Sequence, residues 1–306
     1  MGEKMQQYFN TVLGNIAEND VGVVLSHEHI CCYSEYLYKM SGGKFPDKDK
    51  LAKCSVNYLK KLKEKYSLST IIDCTPVNIG RDVGLLKKVS EQSGVNIICS
   101  TGFYYTEEPV LSNMNVDDLS EYIVTDAQNV NAGIIKCAIE NENISPFNEK
   151  LLRACAKAHL KLNLPIVMHT NANNKNGTEA LEIILSEGVK PQAVTVSHLS
   201  DTSDIQYIKS IAENGCYIGL DRLYGNTKKE YIDIKIKTIE DLNESGYGDK
   251  ILLSHDALFF NGFAAGNEFD AEPRFNYCFD YILPEIPGGL AEKIMVQNPL
   301  NMLKII

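Results

Sequence analysis

Short apolar runs alternate along the chain with longer segments in which apolar residues recur every three or four positions. The apolar runs are rich in Val and Ile and are bounded by Gly, Pro, Asn or Asp; they span 22–26, 70–74, 96–101, 132–138, 164–170, 193–198, 216–220 and 250–254. Such runs are typical of strands buried on both faces. The intervening segments have the pattern of amphipathic helices, for example at 82–93, 145–162, 178–187, 203–214 and 228–244.

This alternation predicts parallel βα units, and eight of them in one continuous chain favour an α/β fold of the closed (β/α)8 TIM-barrel type. The competing fold is an open doubly wound sheet, which normally has a glycine-rich phosphate-binding turn after its first strand. The first run is followed instead by Ser26-His27-Glu28-His29. We therefore expect a single barrel domain over residues 1–306, with residues 1–20 as an N-terminal extension and residues 285–306 as a closing segment.

Composition narrows the class of protein without identifying it. The 306 residues include 30 Lys and Arg against 40 Asp and Glu, which gives a net charge of −10. This acidic balance argues against nucleic acid or an anionic membrane surface as the main partner. Apolar runs fall short of the roughly 18 residues of a membrane span, so we expect no membrane association.

The nine cysteines are scattered, without a CxxC pair, and most lie inside apolar runs. Free cysteine in such a run behaves as a small core residue. We therefore expect reduced thiols and, because reduced thiols require a reducing compartment, a cytoplasmic location.

Residues that can bind metal ions or transfer protons lie at the ends of most predicted strands. They are His27 and His29 on the first strand, Lys136 on the fourth, His169 on the fifth, His198 on the sixth and Asp256 after the eighth. Because side chains alternate along a strand, His27 and His29 share one side and Glu28 has the other. Imidazole and carboxylate groups are ligands of zinc-like divalent ions, and barrel active sites use the carboxyl ends of the strands. The pattern predicts a metal site rather than isolated core histidines.

Lys136 is unusual because it lies in the apolar run 133–139, which would not ordinarily bury an unpaired ammonium group. A neutral lysine amine can add carbon dioxide and become a carbamate, an anionic group that can bridge two metal ions. The alternative is a lysine that pairs with an acid or binds an anionic substrate. The residues alone leave both interpretations open.

An ordered series of motifs resembles the phosphotriesterase family of the amidohydrolase superfamily along nearly the whole chain. The motifs that carry the resemblance are TVLG (11–14), SHEH (26–29), IDCTP (72–76), NIGRD (78–82), STGFYY (100–105), AGIIK (132–136), HT (169–170), HLSD (198–201), GLDR (219–222) and LSHD (253–256). The resemblance implies a binuclear metal site at the ends of the strands.

In that site, the resemblance implies that His27, His29 and Asp256 bind the more buried ion, while His169 and His198 bind the more exposed one. Lys136, carboxylated by carbon dioxide, would bridge the two ions together with a hydroxide. The expected ions are Zn2+, although Mn, Co or Fe suit the same ligands.

The resemblance also implies two acids that move protons. Asp256 would take the proton of the hydroxide during attack, and Asp201 matches the second acid of the family. An N-cap of the helix that follows is the alternative role for Asp201, because Asp is a good cap residue. His255, next to Asp256, is expected to point away from the metals.

Two residues resemble the lactonase branch of the family. Arg222 follows Gly219-Leu220-Asp221, where phosphotriesterases carry His, and Tyr104 lies two residues after Gly102. The alternatives are a salt bridge from Arg222 to Asp221 or Asp201, and a packing role for Tyr104.

We therefore expect a hydrolase that opens a lactone. Acyl-homoserine lactones and phosphorylated sugar lactones both remain open, since Lys228, Lys229 and Arg274 in nearby loops are candidates to hold a phosphate. The apolar loop 257–266 is expected either to act as a lid or to cover the barrel end.

Three other functions are alternatives: a phosphotriester or aryl ester hydrolase, a mononuclear deaminase of the same superfamily, and a metal-binding barrel without catalytic activity. The oligomeric state is not readable from the sequence, but barrels of this family are often dimers, so the resemblance is compatible with a homodimer.

Overall fold

The computed structural model describes residues 6–42, 46–263 and 268–304. Residues 1–5 of the expected N-terminal extension, residues 264–266 of the expected lid loop and residues 305–306 of the closing segment lie outside this described part.

Most of the described strands belong to one long sheet. The strands in chain order are β1 (Tyr8–Thr11), β2 (Gly14–Ala17), β3 (Val23–Cys32), β4 (Leu68–Asp73), β5 (Asn96–Gly102), β6 (Ile134–Ala138), β7 (Ile166–His169), β8 (Val194–Ser197), β9 (Tyr217–Leu220), β10 (Ile251–Leu253), β11 (Leu258–Asn261) and β12 (Glu268–Phe269). The sheet has the order β10-β9-β8-β7-β6-β5-β4-β3-β11-β12. Its strands are parallel from β10 to β11, and β12 runs antiparallel to β11.

The two ends of the parallel run meet. The segment after β10 contacts β3, since the Asp256 N–H donates to the His27 carbonyl and the His29 N–H donates to the Ala257 carbonyl, both at 3.0 Å. The sheet is therefore curled, and the α/β architecture resembles a TIM barrel, as the alternating pattern predicts.

The helices in chain order are α1 (Glu18–Val21), α2 (Glu35–Met40), α3 (Lys48–Tyr66), α4 (Val83–Ser93), α5 (Pro109–Ser112), α6 (Val116–Val130), α7 (Pro146–Leu162), α8 (Gly177–Ser186), α9 (Ile205–Ala212), α10 (Lys229–Leu242), α11 (Gly288–Glu292) and α12 (Asn298–Leu303). Helices α2–α10 occupy the connections between the parallel strands, while α1 precedes the first of these strands and α11 and α12 follow the last strand. Short 3₁₀ turns lie at Val77–Ile79, Pro191–Ala193, Leu199–Asp201, Gly248–Lys250 and Leu283–Glu285, and π-helical turns at Asn243–Tyr247, Cys278–Ile282 and Lys293–Gln297.

The sequence pattern locates the regular elements well. The eight apolar runs correspond to β3–β10, and the five helices named from periodicity are α4, α7, α8, α9 and α10. The main difference is β3, which continues to Cys32 instead of ending at residue 26. The His27-Glu28-His29 motif therefore lies within a strand whose residues are nearly all buried, and the alternation of side chains applies to it directly.

The interior of the curled sheet is filled with apolar side chains. One buried cluster combines strand residues with residues of the chain ends; it includes Val24, Ile72, Ile98, Ile134, Val167 and Leu252, together with Phe9 of β1 and Met302 of α12. A larger cluster fills the space between the sheet and the helices. Because the amino-terminal part of the barrel interior is packed, the polar residues are left at the carboxyl ends of the strands.

Two further expectations concern the whole chain. All nine cysteines are free, and all except Cys54 are buried. In the part of the chain that the structure describes, no helix combines the length and apolarity needed to cross a membrane.

Candidate metal centre and catalytic cavity

The carboxyl ends of the strands open into a cavity of about 670 Å³. Its lining includes most of the residues predicted from sequence: His29, Lys136, His169 and Asp256 of the metal set, and Tyr104, Asp201 and Arg222 of the catalytic set. It also includes Leu258, Asn261 and Phe263 of the expected lid loop. Its remaining lining residues have no role in the sequence analysis: Cys32, Ile79, Tyr105, Thr106 and Tyr224. His27 and His198 are buried beside this lining.

Strand β3 and the segment after β10 bring three predicted ligands together. His29 Nε2 lies 3.0 Å from Asp256 Oδ1, and His27 Nε2 lies 3.5 Å from the same oxygen. One nitrogen from each histidine and the carboxylate oxygen all lie within 4.8 Å of one another. Two imidazoles and a carboxylate at this separation fit one divalent ion.

His169 and His198 form a second pair at the ends of β7 and β8. His169 Nδ1 lies 2.7 Å from His198 Nε2. Burial lowers the pKa of both imidazoles, and burial together with the charge of Lys136 lowers the pKa of His27 to about 4. These three histidines are therefore neutral near pH 7, which is the form that binds a metal.

Lys136, on β6, lies beside the group of His27, His29 and Asp256 and beside the histidine pair at the ends of β7 and β8. Its side chain is buried, with 1 % of the residue exposed, and Nζ lies 2.8 Å from His27 Nε2. After the effect of burial, its charge also contributes to the lowered pKa of His169. Within the described ranges no carboxylate lies at ion-pair distance from Nζ, so the acid-paired alternative is not the arrangement observed.

Each predicted histidine ligand is held by a hydrogen bond at the nitrogen that faces away from its neighbours. The contacts are His27 Nδ1 with Asp221 Oδ2 at 2.7 Å, His198 Nδ1 with Asp221 Oδ1 at 2.7 Å, His29 Nδ1 with Thr75 Oγ1 at 2.8 Å and His169 Nε2 with Glu140 Oε2 at 2.7 Å. Such contacts fix the tautomer and the ring orientation of a metal ligand. They leave Nε2 of His27 and His198 and Nδ1 of His169 with a lone pair for an ion. His29 differs, because its Nε2 faces the Asp256 carboxylate. Burial opposes the charge of His29, but its contacts with Cys32 and Asp256 raise its pKa, so Nε2 has to release a proton before it binds an ion.

Asp221 was considered from the sequence only as a salt-bridge partner of Arg222. The structure places it between His27 and His198, where it also accepts the His198 backbone N–H at 2.7 Å. Burial alone would raise the pKa of its carboxyl, but the charges that His198 and His27 carry once they are protonated at low pH, together with their hydrogen bonds, hold that pKa far below its usual range. Although Asp221 and the two histidines are close enough to form a metal-binding group, the carboxylate faces their Nδ1 atoms. We therefore interpret it as their hydrogen-bond acceptor. Its position directly after β9 was the available sequence signal.

Arg222 lies between the two predicted acids. Its Nε donates to Asp256 Oδ2 at 2.8 Å and its Nη1 donates to Asp201 Oδ2 at 2.7 Å. The cap of α9 is Asp204, whose side chain accepts the N–H groups of Gln206 and Tyr207. Asp201 is therefore not the helix cap, and its contact is with the arginine.

Three of these residues have left-handed backbone conformations. The φ angles are +68° at His198, +64° at Arg222 and +51° at Asp256. Residues other than glycine pay a conformational cost there, and such residues concentrate at functional sites. Each of the three lies within three residues of the end of a strand, β8, β9 or β10 respectively.

The ring of Tyr104 packs against a predicted metal ligand. Its ring centroid lies 5.2 Å from that of His169 in an edge-to-face arrangement. Its backbone is fixed by the Asn78 side chain, whose Oδ1 accepts the Tyr104 N–H at 2.8 Å. The tyrosine thus both packs against a predicted ligand and lines the cavity.

The basic loop residues are placed away from this cavity. Lys229 pairs with Asp233 at 2.7 Å, while Arg274 lines a separate cavity of about 310 Å³ with residues that include Gly225 and Tyr277. Lys228, Lys229 and Arg274 are absent from the described lining of the main cavity. His255 also points elsewhere, because its Nδ1 lies 2.6 Å from the buried Glu28 carboxylate.

Comparison with known proteins agrees with this geometry. The sequence model of the Phosphotriesterase family matches residues 7–305. The chain is 34 % identical over 250 residues to the aryldialkylphosphatase of Saccharolobus solfataricus, covering 79 % of each chain. It is 30 % identical over 282 residues to a phosphotriesterase homology protein of Mycobacterium tuberculosis, covering 87 % of this chain and 83 % of the relative.

A more distant relative is the N-acetyltaurine hydrolase of Xenopus tropicalis, which is 27 % identical over 344 aligned residues and covers 96 % of this chain and 97 % of its own. The family match therefore extends over the strands that carry every predicted metal ligand. The chain belongs to the phosphotriesterase family of hydrolases.

Proposed function

We propose that this protein is a metal-dependent lactone hydrolase. The observation that carries the proposal is Arg222, which presents a fixed guanidinium to the cavity beside the histidine pairs while Tyr104 lines the same cavity. A guanidinium and a phenol are both donors suited to a carbonyl oxygen or to the carboxylate that hydrolysis produces.

The residues fit a binuclear centre. His27, His29 and Asp256 would hold one ion, His169 and His198 the other, and Lys136, as its carbamate, would bridge them. The buried amine faces both groups without a carboxylate partner among the described residues, which suits its conversion to an anionic bridge. Two bound divalent ions, Zn2+ in the first instance, would polarise the scissile carbonyl and activate a water molecule.

The remaining chemistry belongs to the residues of the chain. In lactone hydrolysis the water oxygen bonds to the carbonyl carbon, the ring C–O bond breaks, and one proton passes from the water to the leaving oxygen. We assign that proton transfer to the Asp256 carboxylate. Burial opposes ionisation of Asp256, but the neighbouring histidines, His198 first, hold its pKa well below the usual range, so it starts the cycle as a base.

Arg222 and Tyr104 act as hydrogen-bond donors in this proposal. Burial raises the pKa of Tyr104, so its hydroxyl remains protonated and can donate to the substrate. Burial opposes the charge of Arg222, but Asp256 and Asp201 outweigh that effect and raise its pKa further. Because a guanidinium does not titrate at working pH, we propose that Asp201 orients Arg222 instead of relaying a proton through it.

A substrate panel tests the proposed reaction. The purified protein, loaded with Zn2+ or Co2+, is assayed on simple γ- and δ-lactones, acyl-homoserine lactones, phosphorylated sugar lactones, aryl esters and paraoxon-type phosphotriesters. We expect the largest kcat/KM for a lactone. A larger kcat/KM for a phosphotriester would overturn the lactone assignment.

Phosphotriester or aryl ester hydrolysis is the second candidate, favoured by the 34 % identity to the aryldialkylphosphatase.

The number of metal ions bound per chain distinguishes the remaining alternatives. One tightly held ion per chain would indicate a mononuclear enzyme such as a deaminase, and two ions with no hydrolysis of esters, lactones or amides would indicate a non-catalytic barrel.

We also propose a cytoplasmic location, since nine free cysteines suit a reducing compartment. A homodimer is proposed from family resemblance alone. Cell fractionation tests the location, and light scattering on the purified protein tests the oligomeric state.

A further inference from the structure

Glu140 holds a histidine at the mouth of the cavity. It lies on the connection after β6, and its Oε2 is 2.7 Å from His169 Nε2. The contact is on the opposite edge of the imidazole from Nδ1, the atom that approaches His198 Nε2 to 2.7 Å. His169 is therefore the one member of the four-histidine set that turns Nδ1 instead of Nε2 inward.

Because His169 turns Nδ1 inward, its contact with Glu140 determines which ring nitrogen carries the lone pair. A neutral imidazole carries one N–H and one lone pair, and a carboxylate at one nitrogen makes that nitrogen the donor. Glu140 accepts at Nε2, so the lone pair is at Nδ1. Without this acceptor, the ring has no fixed choice between its two tautomers and can also turn about its Cβ–Cγ bond.

Glu140 is itself held in place by amide side chains of the loop after β7. Asn171 Nδ2 donates to Glu140 Oε1 at 2.9 Å, and Asn174 Nδ2 donates to the Glu140 carbonyl at 3.2 Å. The Asn171 Oδ1 in turn accepts the backbone N–H groups of Asn173 and Asn174. Both carboxylate oxygens of Glu140 are thus committed, one to the loop and one to His169.

The contact of Glu140 with His169 differs in exposure from the contact of Asp221 with His198. Asp221, which holds His198, has 2 % of its side chain exposed, whereas Glu140 has 35 % exposed. A partly exposed carboxylate is not needed to fill the core, and its two contacts join the loops after β6 and β7 at the edge of the cavity.

We propose that Glu140 is a positioning residue that orients His169 so that Nδ1 binds the more exposed of the two metal ions. The inference rests on the metal centre proposed above, but it does not depend on the substrate being a lactone. A partner of this type contributes about 10- to 100-fold to metal affinity.

The test compares Glu140→Gln and Glu140→Ala with wild type and with Glu142→Gln. Glu142 is an exposed residue of the same connection, so its variant is a matched control for loss of one acidic charge. Each metal-free protein is titrated with Co2+, and binding is followed by calorimetry and by the visible d–d absorption of the bound ion. Circular dichroism confirms that each variant is folded.

We expect the first equivalent of Co2+ to bind all four proteins equally. The second equivalent should bind about 10-fold more weakly to Glu140→Gln and up to about 100-fold more weakly to Glu140→Ala, with an altered d–d spectrum. Glu142→Gln should match wild type in both affinity and spectrum.

Wild-type affinity and spectrum in both Glu140 variants would overturn the inference, and so would an equal loss of both equivalents. In either case a wild type that binds two ions leaves the proposed hydrolase intact. A wild type that binds a single ion overturns the binuclear centre and the role of Glu140 together.

Discussion

Lys136 Nζ lies 2.8 Å from His27 Nε2. Because His27 Nδ1 contacts the Asp221 carboxylate, the lone pair of His27 is at Nε2, the atom that Lys136 approaches. A lysine donor at that lone pair competes with a metal ion for the same electrons. Conversion of the amine to a carbamate, with release of a proton, would put two oxygens that share one negative charge where the amine donor was, and would remove the competition. The contact therefore connects the metal content of the protein to the chemical state of one lysine.

Replacement of Lys136 tests this connection. We expect Lys136→Ala to lose metal and activity together, because the bridging oxygens are lost with the side chain. Added short carboxylic acids should restore both in part by occupying the vacated space. Metal analysis after dialysis and initial rates with and without propionate are the measurements. Activity equal to wild type in Lys136→Ala would refute the bridging role.

We expect Asp221 to contribute to the binding of both metal ions. Its carboxylate accepts from a ligand of each proposed ion, so Asp221→Asn leaves an amide N–H group facing at least one imidazole N–H. We expect the metal-free variant to lose about 3 kcal/mol of unfolding free energy, the upper end of the range for a hydrogen bond to a charged group. It should also bind both ions more weakly.

Urea unfolding of the metal-free protein and metal titration measure the two effects of Asp221→Asn. Asp204→Asn is the matched control, since Asp204 caps α9 and contacts the exposed Lys175. Weakened binding of only one ion in Asp221→Asn would contradict a role shared by His27 and His198.

The sequence predicts the strands and the ligand set better than it predicts the partners of the ligands. Eight apolar runs identify the parallel strands because burial on both faces imposes a local composition. His169 and His198 lie at the ends of β7 and β8, whereas His27 and His29 lie within β3. No local sequence pattern identifies Glu140 or Thr75 as the partner of a histidine. Each contacts a histidine on another strand, 29 residues away for Glu140 and 46 for Thr75, so the pairing exists only after the sheet has curled.

The salt-bridge partners of Arg222 could not be predicted from the sequence either. Its sequence position allows a salt bridge to Asp221 or to Asp201, and periodicity does not distinguish them. Arg222 has a positive φ angle, and its guanidinium contacts Asp201 and Asp256 instead of its neighbour Asp221. Backbone conformation of that kind follows from the packing around a strand end, and a single sequence does not record it.

The stability of the metal-free protein should fall as the pH is lowered from about 6.5 to about 4. In that range the unfolded chain binds a proton at His27, whose ordinary pKa is 6.5, while burial and Lys136 keep the folded pKa at about 4. The unfolded state therefore holds more protons, and unfolding free energy decreases with decreasing pH. His169 and His198 shift in the same direction. The pKa values of His29 and His255 are raised in the folded state, so these two residues oppose the trend mainly above their unfolded pKa of 6.5 and contribute little at lower pH.

Urea midpoints of the metal-free protein at pH 7, 6 and 5 measure this dependence. Each unit of pKa difference corresponds to about 1.4 kcal/mol. His27→Asn should have a shallower dependence, because one of the protons no longer contributes. A midpoint that does not change over this range would contradict the neutral, buried state of these imidazoles.

Arg222 offers the sharpest test of the proposed chemistry, because it contacts a predicted metal ligand without belonging to the ligand set. Arg222→Met keeps an unbranched side chain but removes every donor. We expect kcat/KM for lactones to fall about 100-fold, the scale of losing a donor to developing negative charge, while two ions remain bound. Asp201→Asn should cost less, about 10-fold, since it weakens one of the two contacts that orient the guanidinium. Steady-state rates on metal-counted protein give both numbers. If Asp201→Asn lowered kcat/KM more than Arg222→Met, Asp201 would act on the substrate or its protons directly, and its assignment as the residue that orients Arg222 would be wrong.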